Sequence, residues 1–154
     1  MYTIRVMLEL PQMVLRLIFA IALGALIGLE RETIGKEAGV RTGIVVSGGS
    51  AIFTIIAFLL PGALAKQGFG VGDPALAFNV IANIITGIGF LGAGIIIKNQ
   101  EAAHVHGLTT AAVVWATAAI GILAGLGFFS FAFISAALLA SILYFLRKAD
   151  FSHK

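Results

Sequence analysis

Residues 75–97 read ALAFNVIANIITGIGFLGAGIII, a run of 23 positions without one charged side chain. As a helix rising 1.5 Å per residue, such a run crosses the roughly 30 Å hydrocarbon layer of a bilayer. Working outward from it, four more apolar runs occupy about 11–29, 42–60, 108–126 and 128–146. The chain has 154 residues, 60% hydrophobic and 11% charged, with a mean hydropathy of +1.07. A soluble domain carries about 25% charged residues, so this chain has too little polar surface to cover a water-facing globule. The fold class is therefore all-α integral membrane, with five transmembrane helices. Five spans of about 20 residues use roughly 100 residues and leave only short loops, so residues 1–154 read as one transmembrane domain.

Local signals set the span limits. Pro11 suits a helix start, where its missing N–H is not needed, and Pro61-Gly62 is expected to close the second span. Asp73-Pro74 reads as the entry to the third. Gly125-Leu126-Gly127 is so short a connection that spans four and five should form a tight antiparallel hairpin. The first run is longer than a signal-peptide core and ends in Gly28-Leu29-Glu30, not a small-x-small cleavage site, so it reads as a retained span.

Lys and Arg counts give an orientation. With the N-terminus outside, Arg31, Lys36, Arg41, Lys98, Arg147, Lys148 and Lys154 lie inside, against Arg5, Arg16 and Lys66 outside. This excess predicts an N-out, C-in topology. The basic residues sit in small groups between apolar runs, a pattern of topology signals and not of nucleic-acid binding. There is no Cys, hence no disulfide and no thiolate chemistry. No nucleophile, base and carboxylate form a recognisable set, so the chain is not expected to be an enzyme. Gly87-Ile88-Gly89-Phe90-Leu91-Gly92 matches a dinucleotide fingerprint in letters only, because no strand and no soluble βαβ unit surround it.

Polar and small residues inside the spans carry the remaining information. Asn79, Asn83 and Thr86 share one face of span three, a candidate lining for a polar cavity. Ser47, Ser50 and Thr54 share a face of span two, and Thr110, Thr117 and Gly121 one of span four; these are expected to make interhelical hydrogen bonds. Gly24 with Gly28, and Gly121 with Gly125, are spaced for close helix packing. Gly87, Gly89, Gly92 and Gly94 are denser than packing needs and suggest a kinked or interrupted helix.

On the N-out topology the unusual segments converge on the inner side: Glu30, Arg31 and Glu32, then Arg41 and Thr42, then His106, Thr109 and Thr110. Spans two and four present helix N-termini there, with Thr42, Thr109 or Thr110 as candidate caps. The cluster would favour an anion or an internal carboxylate–arginine network. Glu30, Glu32 and Glu101 are the candidate metal ligands, since magnesium takes one or two carboxylates and keeps waters. His104 and His106 lack further ligands. Gly39-x-x-Thr42 and Gly107-x-x-Thr110 also echo one another as the openings of two parallel repeats.

These segments resemble the MgtC/SapB family of bacterial membrane proteins. The resemblance is carried by Ala22 to Glu32, by Gly39-Val40-Arg41-Thr42, by Thr86 to Gly94, and by Gly107 to Ala112 continuing through Trp115 to Gly121. It implies a multi-pass protein of the bacterial cytoplasmic (inner) membrane, linked to magnesium homeostasis, with Mg²⁺ as a ligand. It implies a regulator or ligand sensor acting on other membrane proteins, such as the F-type ATP synthase or a cation transporter. The alternative is a magnesium or other small-ion transporter or channel working as a homo-oligomer, because five helices barely enclose a pathway. The chain departs from the family pattern at Gly43, where many members have His, and at Asn79 and Asn83, where many have Arg and Gln. It is also expected to lack the soluble C-terminal domain of the virulence-type members.

Overall fold

The computed structural model describes residues 9–68, 75–97 and 107–150. They form five helices: α1 (Leu10–Glu32), α2 (Val40–Lys66), α3 (Ala75–Ile97), α4 (Leu108–Leu126) and α5 (Phe129–Asp150). All five are long and apolar enough to cross a membrane. The chain is thus a multi-pass membrane protein.

The helix limits follow backbone chemistry. Pro11 occupies the first turn of α1, as its missing donor allows. Pro61 does not close α2, which runs on to Lys66. A proline inside a membrane helix removes one donor, and the surrounding helical bonds keep the rod continuous. α3 is also one continuous helix through Gly87, Gly89, Gly92 and Gly94, so the expected interruption is absent. Without water to compete for backbone groups, the intrahelical bonds outweigh the low helix propensity of glycine.

α4 is the hub of the bundle, packed against each of the other four helices. α2 packs on α1, α3 and α4, while α5, among the described residues, touches only α1 and α4. The close approaches are made by glycine. A Cβ on Gly24 would overlap the carbonyl of Gly43 in α2, and one on Gly28 would lie 2.6 Å from the Cα of Val40. Farther along the same face of α2, Gly121 of α4 meets the backbone of Ser47, and a Cβ on Gly125 would come within 2.9 Å of the Ala51 carbonyl oxygen. Two glycine pairs, each four residues apart, therefore bring α1 and α4 onto one face of α2 at backbone contact distance. In lipid this contact takes the place of a hydrophobic drive.

Side chains fill the remaining space. Leu23, Ile27, Val113, Ile120, Ala132 and Ala136 form a core among α1, α4 and α5. Val46, Val114 and Ala118 form a second one, with Ile88 and Ile95 of α3 against it. Large apolar side chains such as Phe53, Phe90, Trp115 and Phe131 point outward, as a lipid-facing surface requires.

The hairpin between α4 and α5 turns at Gly127, whose φ of 89° is the left-handed conformation a glycine adopts without strain. Gly127 N–H donates to the Ala124 carbonyl, and Phe128 N–H to the Leu123 carbonyl. This double bond pattern closes the helix end.

A polar cluster at the basic end of the bundle

The C-terminus of α1, the N-termini of α2 and α4, and the C-terminus of α5 meet at one end of the bundle. Arg31 is its centre. It is only 4% exposed, and its Nη2 donates a long 3.4 Å hydrogen bond to Thr110 Oγ1, across from α1 to α4. Glu30 lies beside it, with Oε2 3.7 Å from Arg31 Nη1 and a side chain 9% exposed. The distance gives charge compensation without a hydrogen bond. Both carboxylate oxygens of Glu30 and Nε of Arg31 have no hydrogen-bond partner among the described residues. Buried ionic groups in that state are costly, so the cluster is incompletely satisfied as it stands.

Glu32 does different work. Its Oε2 accepts a 2.8 Å hydrogen bond from the N–H of Val40, the first residue of α2. The negative charge also complements the positive end of the α2 dipole. The expected threonine caps are not used: the N-cap positions are Gly39 in α2 and Gly107 in α4. Thr33 hydroxyl donates to the Glu30 carbonyl at 2.7 Å, closing the last turn of α1.

The other sequence candidates divide into three groups. Thr42 is half-buried and lines a narrow gap with Gly28, Arg31 and Thr117, whereas Arg41 and Thr109 are exposed. His104, His106 and Glu101 lie outside the described residues. Asn79, Asn83 and Thr86 are not part of this end at all. They lie on the exposed side of α3, opposite the Ile88 and Ile95 face that packs on the bundle. Thr86 hydroxyl donates back to the Ala82 carbonyl at 3.0 Å. On α3, a Cβ on Gly87, Gly89 or Gly94 would meet nothing within 4 Å, and only Gly92 approaches α4, at Ala111.

Three of the buried hydroxyls donate to backbone carbonyls. Ser47 Oγ donates to the Ala20 carbonyl of α1 at 2.8 Å, an interhelical bond. Thr54 and Thr117 instead donate to carbonyls four residues earlier in their own helices, Ser50 and Val113. Of the candidate metal ligands, Glu30 lies beside Arg31 and Glu32 accepts from the α2 terminus. Among the described residues no three His, Cys, Asp or Glu come together as a metal site.

Two features escape a reading of the sequence. Lys36, Arg147 and Lys148, which count there only toward topology, line one cavity with Arg31. Arg16 reaches from α1 to the far end of α4, donating to the Gly125 carbonyl at 2.7 Å. The usable signal was its place within an apolar run, since a charge at membrane depth requires a partner.

Comparison with known proteins follows the same segments. The sequence model of the MgtC family matches residues 17–151. YhiD of Escherichia coli strain K12 is 43% identical over 121 residues, which are 77% of this chain and 53% of that protein. MgtC of Salmonella typhimurium strain LT2 is 38% identical over 136 residues, 88% of this chain and 53% of that protein. A Haemophilus influenzae protein named as uncharacterized is 40% identical over 114 residues, 73% of this chain and 46% of its own length. The chain thus spans about half the length of these relatives. No solved structure matches it.

Proposed function

The chain belongs to the MgtC family, and on that premise we propose that it is a non-enzymatic regulator in magnesium homeostasis that docks another membrane protein through α3. The observation that carries this reading is the outer face of α3. Asn79, Asn83 and Thr86 are exposed there, beside glycines with open space around them. An asparagine amide facing hydrocarbon leaves donors and acceptors unsatisfied, whereas a second helix laid on this face can bond the amides and approach through the glycines. The occupant in this reading is a transmembrane helix of a different protein; the family resemblance points to the F-type ATP synthase or a cation transporter. In this reading the protein sits in the bacterial inner membrane, as the family resemblance implies, and the Lys and Arg distribution supports a cytoplasmic basic end.

The name of YhiD proposes magnesium transport for that protein, and this favours a second reading, a transporter assembled from several copies around the same α3 face. Two measurements separate them. Reconstituted vesicles are assayed for magnesium flux, with Asn83→Leu as the comparison; flux above empty vesicles that Asn83→Leu abolishes would replace regulation by transport. In cells, a photo-cross-linker at Phe90 is expected to trap one defined membrane protein, and the adduct should vanish in Asn79→Leu/Asn83→Leu. Adducts only with further copies of the chain would overturn docking to a different protein.

A further inference from the structure

The basic end of the bundle holds an open cavity of about 1180 Å³. The charged side chains that line it are all of one sign: Arg31, Lys36, Arg147 and Lys148, with no Asp or Glu among the described lining residues. The first turn of α4, Leu108 to Thr110, forms another part of the wall. Its N-cap is Gly107, which has no side chain to offer, so the first N–H groups and the positive dipole end of α4 open there.

A helix terminus and surface lysines would not by themselves make a site. Arg31 is the independent observation. It is almost wholly buried, it lines the cavity, and its Nε has no hydrogen-bond partner among the described residues. A guanidinium presents five donors in a fixed fork, and among the described residues it makes only the long bond to Thr110. Glu30 balances part of the charge at 3.7 Å without accepting a bond.

We infer that this cavity is a binding site for a phosphate-bearing anion, held by the Arg31 guanidinium, the α4 N-terminus and the lysines at the rim. A phosphate group supplies several acceptor oxygens and up to two negative charges, which match a guanidinium fork and a helix N-terminus together. Leu143 and Leu146 make part of the wall apolar, so the phosphate can be carried on a larger body. The group can come from an anionic phospholipid headgroup, for which basic pockets between membrane helices are suited, or from a soluble phosphate compound. The site is separate from the outer face of α3 and does not depend on docking there.

The test uses the full chain in a neutral detergent. Native mass spectrometry counts bound cardiolipin and phosphatidylglycerol, with phosphatidylcholine as the neutral comparison, and calorimetry reads binding of inorganic pyrophosphate. Saturable binding of an anionic lipid at one site identifies a headgroup as the source; saturable binding of pyrophosphate alone identifies a soluble one. In either case Lys36→Gln/Lys148→Gln should weaken binding about fivefold for each lysine, roughly 25-fold together. Arg41→Gln, which removes an exposed charge outside the cavity lining, should change it less than about twofold, because screened surface charges contribute little. Saturable binding by neither probe would overturn the inference. Equal weakening by Arg41→Gln and the double lysine variant would do the same, since it would make the attraction a property of the whole basic end.

Discussion

Arg16 in the first helix donates a 2.7 Å hydrogen bond to the carbonyl oxygen of Gly125, 109 residues later, in the last turn of α4. Its guanidinium also sits against Gly127, where a Cβ would come 2.9 Å from Nη2. A cation at a helix C-terminus complements the dipole and occupies a carbonyl. The contact therefore ties α1 to the α4–α5 hairpin at the end of the bundle opposite Arg31. Removing it by Arg16→Leu is expected to destabilise the bundle by about 1.5–3 kcal/mol, the usual range for a hydrogen bond to a charged group. Thermal unfolding in detergent reads this directly, and an unchanged midpoint would show that Arg16 serves topology alone.

The glycines of α1 and α4 should behave unlike those of α3. Gly24→Ala and Gly121→Ala force a methyl into the backbone of α2, at Gly43 and Ser47, and overpacking of this kind costs about 1–3 kcal/mol. Gly89→Ala meets nothing within 4 Å and gains helix propensity, so the isolated chain should be unchanged or up to about 1 kcal/mol more stable. If all three variants unfold alike, the glycine contacts along α2 are not what holds the bundle.

Some of this was legible in the sequence and some was not. The five spans were, because a bilayer demands long apolar runs and helices that satisfy their own backbone. The C-terminal end of α2 is not legible: Pro61-Gly62 breaks helices in water, but here the helix continues to Lys66. Spacing puts Asn79, Asn83 and Thr86 on one face, and all three are exposed on α3. It gave no sign of which way that face turns, since apolar residues on a membrane helix face lipid and core alike. The convergence of Glu30, Arg31 and Thr110 followed from topology, while the capping role of Glu32 did not. That bond joins residues eight apart through a turn whose geometry no local pattern encodes.

That cap gives a local prediction. Glu32→Ala removes the acceptor for the Val40 N–H and should cost about 0.5–2 kcal/mol, the range for losing a helix cap. The effect should be confined to the first turn of α2. Hydrogen exchange at Val40 and its neighbours is expected to accelerate while the middle of α2 keeps its protection. Uniform acceleration along the helix would mean that Glu32 supports the fold in some other way.

The pair at the centre of the basic end gives the sharpest contrast. Arg31 and Glu30 are both about nine-tenths buried or more and stand 3.7 Å apart. Taking away one partner leaves the other as an isolated buried charge, which costs about 3–5 kcal/mol. Arg31→Met is therefore expected to destabilise strongly. Replacing both groups by apolar side chains removes the desolvation penalty along with the attraction, and such replacements are often neutral or stabilising. Glu30→Leu/Arg31→Met should thus recover most of the stability lost in Arg31→Met, while losing affinity for the phosphate-bearing anion. Unfolding midpoints of the two variants, read beside their lipid and pyrophosphate binding, check both halves. A double variant as unstable as Arg31→Met would show that the bond from Arg31 to Thr110, not the charge balance with Glu30, is what the bundle requires at this end.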